Sequence, residues 1–200
     1  MKQTILCLDM EWVLTPEIWE EVSKNTGIQE LMLTTKDIAD YDELMNYRKL
    51  HLEKNWLTLS KIQEIIWTID LLPWCLEFIQ WAQERMQVII LSDTFIEFAK
   101  PLLKKMWNPT IFCHNLIIEN NKIVDYKLRI KDQKTHAVKK FKELNFKTIA
   151  AWDSFNDTGM LNEADFWFFF KPGKKATDAF PTIEIANDYE ELKKLIERSL

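Results

Sequence analysis

Thr4-Ile5-Leu6-Cys7-Leu8-Asp9-Met10-Glu11 is the most informative segment of the sequence. Its apolar run, residues 4–8, ends directly before two nearby carboxylates, Asp9 and Glu11. A run that is apolar throughout is typical of a parallel strand that helices cover on both faces. Similar runs recur at residues 86–91, 148–151, 164–170 and 182–185. Amphipathic helical patterns alternate with them, at residues 76–85, 96–106, 135–144 and 188–199. This alternation predicts an α/β fold, a Rossmann-like parallel sheet with helices on both faces.

Two stretches interrupt the alternation. Residues 16–70 carry helical patterns without a convincing strand, and we interpret them as a small helical insert between the first and second strands. The predicted domains are therefore a core of residues 1–14 and 72–200 and a helical cap of residues 15–71. Residues 116–128 hold two short apolar segments around Glu119-Asn120-Asn121-Lys122, a pattern that predicts a β-hairpin.

The composition argues against several classes of protein. The net charge is -5, whereas binding of nucleic acid needs clustered Lys and Arg. No apolar stretch approaches the roughly 20 residues that span a bilayer, and we expect no secretion signal. Cys7, Cys75 and Cys113 lack the spacing of a disulfide framework or a zinc site, so we expect reduced thiols and a cytoplasmic location.

Compact polar groups follow the predicted strands, at the edge where open parallel sheets bind ligands. Asp9 and Glu11 follow the first strand and Asp153 follows the third; the other candidates are Ser92, Asp93, Lys131, Lys134, Asn156 and Asp157. Converging carboxylates repel one another unless a hard cation lies among them, and Mg²⁺ is held by one or two carboxylates plus phosphate oxygens. Such a site suits phosphoryl transfer: an Asp as nucleophile, a second carboxylate as general acid and base, and Lys or Ser on the phosphoryl oxygens.

In order and spacing these residues resemble the motifs of the haloacid dehalogenase superfamily, which are matched by Leu8-Asp9-Met10-Glu11, Leu91-Ser92-Asp93, Lys134 and Asp153-Ser154-Phe155-Asn156-Asp157. More narrowly, the chain resembles the bifunctional phosphoserine phosphatase/homoserine phosphotransferase family over nearly its whole length. Glu11 and Ser92-Asp93-Thr94 are similar to that family, as are residues 16–19 and 40–45. The resemblance implies a Mg²⁺-dependent phosphoserine phosphatase of amino-acid biosynthesis, with transfer of the phosphoryl group to homoserine.

The resemblance also implies the roles of individual residues. Asp9 would be the nucleophile and a metal ligand, Glu11 the general acid and base whose backbone carbonyl also reaches the metal, and Asp153 the other metal ligand. Phosphate and substrate would be bound by Ser92, Asp93, Lys134 (or Lys131 in its place) and Asn156, with Asp157 in a supporting role. In the cap, Glu17 would meet the substrate ammonium and Arg48 its carboxylate, since a guanidinium grips a carboxylate bidentately.

Alternatives stay open. The chain is otherwise a phosphatase of another small phosphomonoester, a signalling domain of the receiver type, or a catalytically impaired phosphate-binding homologue. Receiver domains are also phosphorylated on an Asp at the end of a strand, but they lack a helical insert like residues 16–70. Monomer and homodimer are both open, and we expect no nucleic-acid or membrane partner. None of the histidines has metal-ligand spacing, so we expect structural or surface roles for His51, His114 and His136.

The balance of glycine and tryptophan is unusual. The chain has 3 glycines, where an average of about 7% would give about 14, and it has 9 tryptophans. Six of these tryptophans occupy positions where the family that the chain resembles has, or readily accepts, glycine. They are Trp12, Trp56, Trp74, Trp107, Trp152 and Trp167. One hypothesis is that they are glycines encoded by UGA, a codon that some bacteria read as glycine; the alternative is a branch of the family that adopted Trp. Indoles at positions 12 and 152 would crowd the metal and phosphate, which motivates the impaired alternative.

Overall fold

The computed structural model describes residues 2–35, 37–38, 40–154 and 163–200. The strands in these residues are β1 (Thr4–Leu8), β2 (Gln87–Phe95), β3 (Thr110–Glu119), β4 (Lys122–Lys127), β5 (Lys147–Trp152), β6 (Phe166–Phe170) and β7 (Ile185–Ala186). The helices are α1 (Ile18–Thr26), α2 (Tyr41–Lys54), α3 (Leu59–Thr68), α4 (Cys75–Gln83), α5 (Ile96–Lys105), α6 (Gln133–Glu143), α7 (Lys174–Ala179) and α8 (Tyr189–Arg198), with a 3-10 helix at Gln29–Met32. Within the described ranges, none of these helices has the length and apolarity that a membrane crossing requires.

The strands form one sheet in the order β4-β3-β2-β1-β5-β6-β7. Neighbouring strands are parallel except in the β3–β4 hairpin. The side chains of Leu6, Leu8, Ile90 and Ile149 are fully buried in the centre of the sheet, as expected of parallel strands covered by helices on both faces. The predicted α/β fold and the predicted hairpin are confirmed.

Strand β2 is longer than its apolar run predicts. It continues through Ser92, Asp93 and Thr94 to Phe95, although the pattern places these polar residues after the strand. The reason is tertiary: β3 extends far enough for Phe95 to pair with His114. The register between β2 and β3 shifts between Leu91 and Phe95, so the polar residues occupy an irregular strand end that faces the site.

The segment between β1 and α4 is helical, as its sequence pattern predicts, and contains α1, the 3-10 helix, α2 and α3. The β3–β4 hairpin packs against these helices. The Nζ of Lys49 lies 2.8 Å from Oδ1 of Asp125, and the N–H of Leu59 donates to the carbonyl of Asn121 at 2.9 Å. These contacts hold the helical segment above the carboxyl ends of the central strands. The division into a core and a cap at residues 15–71 stays a prediction.

Candidate active site

A cleft of about 940 Å³ lies at the carboxyl ends of the central strands. Asp9 follows β1, and Asp153 follows β5, which is the parallel neighbour of β1. The N–H of Asp9 donates to the carbonyl of Ala151 at 3.1 Å, which ties the two strand ends together. Both acidic residues line the cleft. Adjacent parallel strands end at one edge of a sheet, and the two predicted metal ligands are brought into one cavity in this way.

Lys134 contacts the predicted nucleophile directly. It lies in the first turn of α6 and is only 5% exposed. Its Nζ donates to Oδ2 of Asp9 at 2.7 Å and lies 3.6 Å from Oδ2 of Asp93. Removing one partner of so buried an ion pair would leave an uncompensated buried charge, which is strongly destabilising. Lys131 lines the same cleft on an exposed turn, and Lys134 is the lysine of the two that contacts Asp9.

Two residues that sequence reasoning missed hold Asp93 in the cleft. The Nε2 of Gln133 donates to the carbonyl of Ser92 at 2.6 Å and to Oδ1 of Asp93 at 3.1 Å. The Nε2 of His114 lies 3.4 Å from the same carboxylate oxygen. The backbone N–H of Arg129 donates to Nδ1 of His114 at 3.0 Å, which assigns the ring proton to Nε2 and makes this nitrogen the donor to Asp93. His114 is therefore a buried residue of the cleft.

These contacts set the charge of Asp93. Burial raises the pKa of its carboxyl, but the Lys134 ammonium and the hydrogen bonds from His114 and Gln133 lower it by more, so the net pKa lies well below its usual range. Asp93 is thus an anion beside Lys134. Gln133 directly precedes Lys134 in the sequence, and this adjacency was the one signal for it; His114 reaches the cleft through hairpin pairing that a single sequence does not display.

Glu11 is positioned by the start of the helical segment. Its Oε1 accepts the N–H of Ile18, the first residue of α1, at 2.9 Å. Burial, and to a smaller extent the charges of Glu17 and Asp9, raise the pKa of Glu11 well above its usual value, although the hydrogen bond from Ile18 opposes the shift. A carboxyl group that keeps its proton to a higher pH than an ordinary carboxyl is suited to act as a general acid.

Arg48 and Glu17 line the same cleft as Asp9, on the side of the helical segment. The guanidinium of Arg48 is buried, lies 4.5 Å from the centre of the Trp19 ring and donates from Nη2 to the carbonyl of Leu33 at 2.7 Å. Its Nε has no hydrogen-bond partner within the described residues. Burial lowers the pKa of Arg48, while Glu17 acts in the opposite direction. A buried cation with an unmatched donor is suited to an anionic group of a ligand.

Three further residues are predicted to bind phosphate or to support the site. Ser92 is fully buried, and its Oγ accepts the N–H of Thr94 at 3.2 Å, so its hydroxyl lies beneath the cleft rather than in its lining. Asn156 and Asp157 lie outside the described residues. The roles of all three in binding phosphate stay predictions.

The donor set fits Mg²⁺. No group of three or more His, Cys, Asp or Glu residues that could enclose a metal occurs in the part of the chain that the structure describes. Directly after the neighbouring strands β1 and β5, the cleft offers the carboxylate oxygens of Asp9 and Asp153. Mg²⁺ is commonly bound by one or two carboxylates together with substrate phosphate oxygens, and it does not require a cage made only of protein ligands.

Curated relatives match almost the whole chain. The phosphoserine phosphatase of Pseudomonas syringae pv. tomato is 46% identical over 191 residues, which cover 95% of this chain and 81% of the relative. The phosphoserine phosphatase ThrH of Pseudomonas aeruginosa is also 46% identical over 191 residues, covering 95% of this chain and 93% of the relative. No protein-family model matches the chain.

Solved structures share the fold at lower identity. A phosphoserine phosphatase in its apo form superimposes with a TM-score of 0.78 at 19% identity, covering 96% of this chain and 98% of the other. A haloacid dehalogenase-family hydrolase from Salmonella enterica gives 0.77 at 20% identity, covering 98% of this chain and 72% of the other. A phospho-aspartyl intermediate analogue of phosphoserine phosphatase gives 0.73 at 20% identity, covering 97% and 99%. The fold is that of the haloacid dehalogenase-family hydrolase, and with relatives 46% identical over 95% of its length, the chain belongs to the phosphoserine phosphatase family and is a phosphoric monoester hydrolase.

Proposed function

We propose that this chain is a Mg²⁺-dependent phosphatase of phosphoserine that works through an aspartyl-phosphate on Asp9. The observation that carries the proposal is the buried contact of 2.7 Å between the Lys134 ammonium and the Asp9 carboxylate, in a cleft that Arg48 and Glu17 also line. The names of the two relatives at 46% identity support the choice of substrate. The phospho-aspartyl analogue of a structural neighbour supports the covalent route.

In the proposed reaction, a carboxylate oxygen of Asp9 attacks phosphorus. The new bond joins that oxygen to phosphorus, and the bond between phosphorus and the seryl oxygen breaks. Glu11, whose raised pKa favours its protonated form, would give its proton to the departing seryl oxygen. The carboxylate of Glu11 then takes a proton from water as the water attacks phosphorus and releases phosphate from Asp9.

The charge of the phosphoryl group is the main electrostatic problem of this reaction. The Lys134 ammonium neutralises part of this charge and keeps one oxygen of Asp9 oriented. Mg²⁺, held by Asp9, Asp153 and the backbone carbonyl of Glu11, would supply the Lewis acidity that the remaining charge requires. Ser92, Asp93, Asn156 and Asp157 complete the proposed phosphate and substrate contacts.

The helical segment would recognise the amino-acid part of the substrate. Arg48 would bind the α-carboxylate through its guanidinium, and Glu17, which lines the same cleft, would attract the α-ammonium. Homoserine carries the same two groups and a hydroxyl, so the same contacts would place its oxygen where water attacks. Transfer to homoserine is therefore a second proposed outcome of the same intermediate. Three free, buried cysteines in the described residues accord with a cytoplasmic location.

The test is release of inorganic phosphate from phosphoserine, with Mg²⁺ and with a chelator, beside an Asp9→Asn variant. The proposal expects turnover with Mg²⁺, and none above background with the chelator or the variant. A panel containing phosphothreonine, phosphoethanolamine and glycerol phosphate tests the alternative that another small phosphomonoester is the substrate. Higher kcat/KM on any of these than on phosphoserine would contradict the proposed specificity.

A specific observation favours a second candidate, an impaired phosphate-binding homologue. The indole of Trp12 lines the cleft directly after Glu11, and Trp152 is fully buried directly before Asp153. Calorimetric binding of phosphoserine and Mg²⁺ without phosphate release would support this candidate. Turnover by the chain with both tryptophans present would exclude it.

A further inference from the structure

Four tryptophans occupy backbone conformations that large L-residues rarely adopt. The φ angles are 63° at Trp12, 54° at Trp56, 70° at Trp74 and 58° at Trp107. In this left-handed region the Cβ atom crowds the following carbonyl, and glycine, which has no Cβ, is the usual occupant. The other left-handed non-glycine residues are mostly of tolerant types, namely Asn108, Asn120, Asn121, Asp132, Asn145 and Lys171. Tryptophan is not such a type.

The turn at Trp74 is of a type that favours glycine at this position. The N–H of Cys75 donates to the carbonyl of Leu72 at 3.0 Å, which closes a four-residue turn with Pro73 at its second position and Trp74 at its third. Trp74 has φ 70° and ψ 10°. These are the angles of the third position of a type II turn, where glycine is needed after proline.

Trp56 and Trp107 end helices in the way that glycine usually does. After α2, the N–H of Trp56 donates to Glu53 and that of Leu57 donates to Leu52, which are the two bonds of a Schellman motif with Trp56 at its left-handed position. After α5, the N–H of Asn108 donates to the carbonyl of Leu103, with Trp107 at the corresponding position. The end of α1 places Gly27, with φ 74°, in the left-handed conformation.

Trp12 makes the tight turn of the active-site loop. Its N–H donates to the carbonyl of Thr15 at 2.7 Å, and the carbonyl of Met10 accepts the N–H groups of Leu14 and Thr15. The chain therefore reverses within a few residues of Asp9. The indole is 41% exposed at the mouth of the cleft.

The exposed indoles gain little from burial that would offset this strain. Trp56, Trp74 and Trp107 are 78%, 72% and 60% exposed. The remaining tryptophans form a contrasting group in ordinary helix or strand conformations, namely Trp19, Trp67, Trp81, Trp152 and Trp167. Backbone geometry thus separates four of the nine tryptophans from the rest.

We propose that the natural polypeptide carries glycine at positions 12, 56, 74 and 107, because its gene has UGA at these positions and the source organism reads UGA as glycine. One decoding rule then reduces both anomalies of composition, because it raises the number of glycines from 3 to 7 and lowers the number of tryptophans from 9 to 5. It also removes the indole from the mouth of the cleft. Trp19, Trp67 and Trp81 lie inside helices, where glycine is unfavourable, and they are true tryptophans encoded by UGG.

The identity of the four residues is tested by sequencing the gene and by analysing protein purified from the source organism. The proposal expects UGA at the four codons and UGG at the codons of the three helical tryptophans. Peptide mass spectrometry of the natural protein should find glycine at the four positions. UGG codons there, or peptides that contain tryptophan there, would overturn the proposal.

The backbone premise is tested separately by comparing glycine with alanine at a left-handed and at a helical site. Trp56 and Trp67 are both more than half exposed, but Trp67 lies in α3 with an ordinary φ. At position 56, the Trp56→Gly variant should have a folding equilibrium constant about fivefold or more above that of Trp56→Ala. At position 67 the order should reverse, with Trp67→Ala about fivefold above Trp67→Gly. Equal constants for Trp56→Gly and Trp56→Ala in urea denaturation would overturn the premise.

Discussion

Arg48 offers the sharpest test of how the cleft selects its substrate. An Arg48→Met variant keeps an unbranched apolar stem of similar length against Trp19 and removes the cation. In the structure one guanidinium nitrogen, Nη2, is already engaged by the carbonyl of Leu33. The Nε has no partner within the described residues, and Nη1 makes only a long contact of 3.9 Å to the sulfur of Met45. Arg48 lines the cleft, so N–H groups that the Leu33 carbonyl does not occupy remain for a substrate carboxylate, which a guanidinium grips with two parallel donors.

The expected loss follows from these two donors. A hydrogen bond to a charged group contributes about 1.5 kcal/mol at the lower end of measured values, so two contribute about 3 kcal/mol. This corresponds to a decrease of roughly 150-fold in kcat/KM for phosphoserine. Phosphoethanolamine has the phosphate and the ammonium but no carboxylate, and its kcat/KM should change little.

The assay is initial-rate phosphate release with both substrates for the wild type, Arg48→Met and a matched control, Arg85→Met. Arg85 also lies over an indole, 5.0 Å from the Trp81 ring centre, but outside the cleft. Its substitution should leave both substrates within about fivefold of wild type, as expected for an exposed charge. If Arg48→Met lowers kcat/KM equally for the two substrates, Arg48 organises the cleft and does not bind the substrate carboxylate.

Further predictions concern the reacting end of the cleft. Lys134→Met should lower kcat about 1,000-fold, since it removes the charge that holds Asp9 and the phosphoryl group. The control Lys131→Met should change kcat by less than about fivefold. Similar losses of kcat for the two variants in steady-state assays would contradict the choice of Lys134. The raised pKa of Glu11 means that its proton is present below that pKa and is lost as the pH rises through it. The profile of kcat/KM against pH should therefore fall on its alkaline side, and Glu11→Gln should have lower activity without that fall; an unchanged profile would argue against Glu11 as the acid. Trp12→Gly should raise kcat/KM for phosphoserine, since it removes the indole from the mouth of the cleft, and should raise the midpoint temperature of unfolding, since it relieves a left-handed φ. A decrease in both quantities, measured by enzyme assay and calorimetry, would contradict the proposal of glycine at position 12.

The central strands and their acidic ends were predictable from the sequence. The run of residues 4–8 matches β1, and the predicted helical segment after it contains α1 to α3. Such local patterns suffice because continuous apolar runs and helical periodicity each follow from burial. The continuation of β2 to Phe95 was not predictable, because Ser92, Asp93 and Thr94 form a strand only through pairing with the extended β3.

Strand and helix patterns alone predicted the cleft only where its residues follow strands directly, whereas Glu17, Arg48 and Lys134 were expected there from the family resemblance. Asp9 and Asp153 meet because parallel strands share an edge, which topology alone requires. His114, in the hairpin strand β3, and Gln133, at the start of α6, both contact Asp93 in β2, although up to 40 residues separate them from it in the sequence. No periodicity in one sequence encodes such a contact. The burial of Arg48 likewise depends on Trp19 and Leu33, which the fold brings together.

The most direct test of the account is to find where the phosphoryl group resides during turnover. Phosphoserine labelled in its phosphate is mixed with the enzyme and Mg²⁺, the reaction is stopped with acid within one turnover, and the labelled peptide is identified by mass spectrometry. We expect an acid-stable, base-labile acyl phosphate on Asp9, and no label in the Asp9→Asn variant. Label on another side chain, or steady turnover with no covalent label at any time, would rule out a covalent route through Asp9.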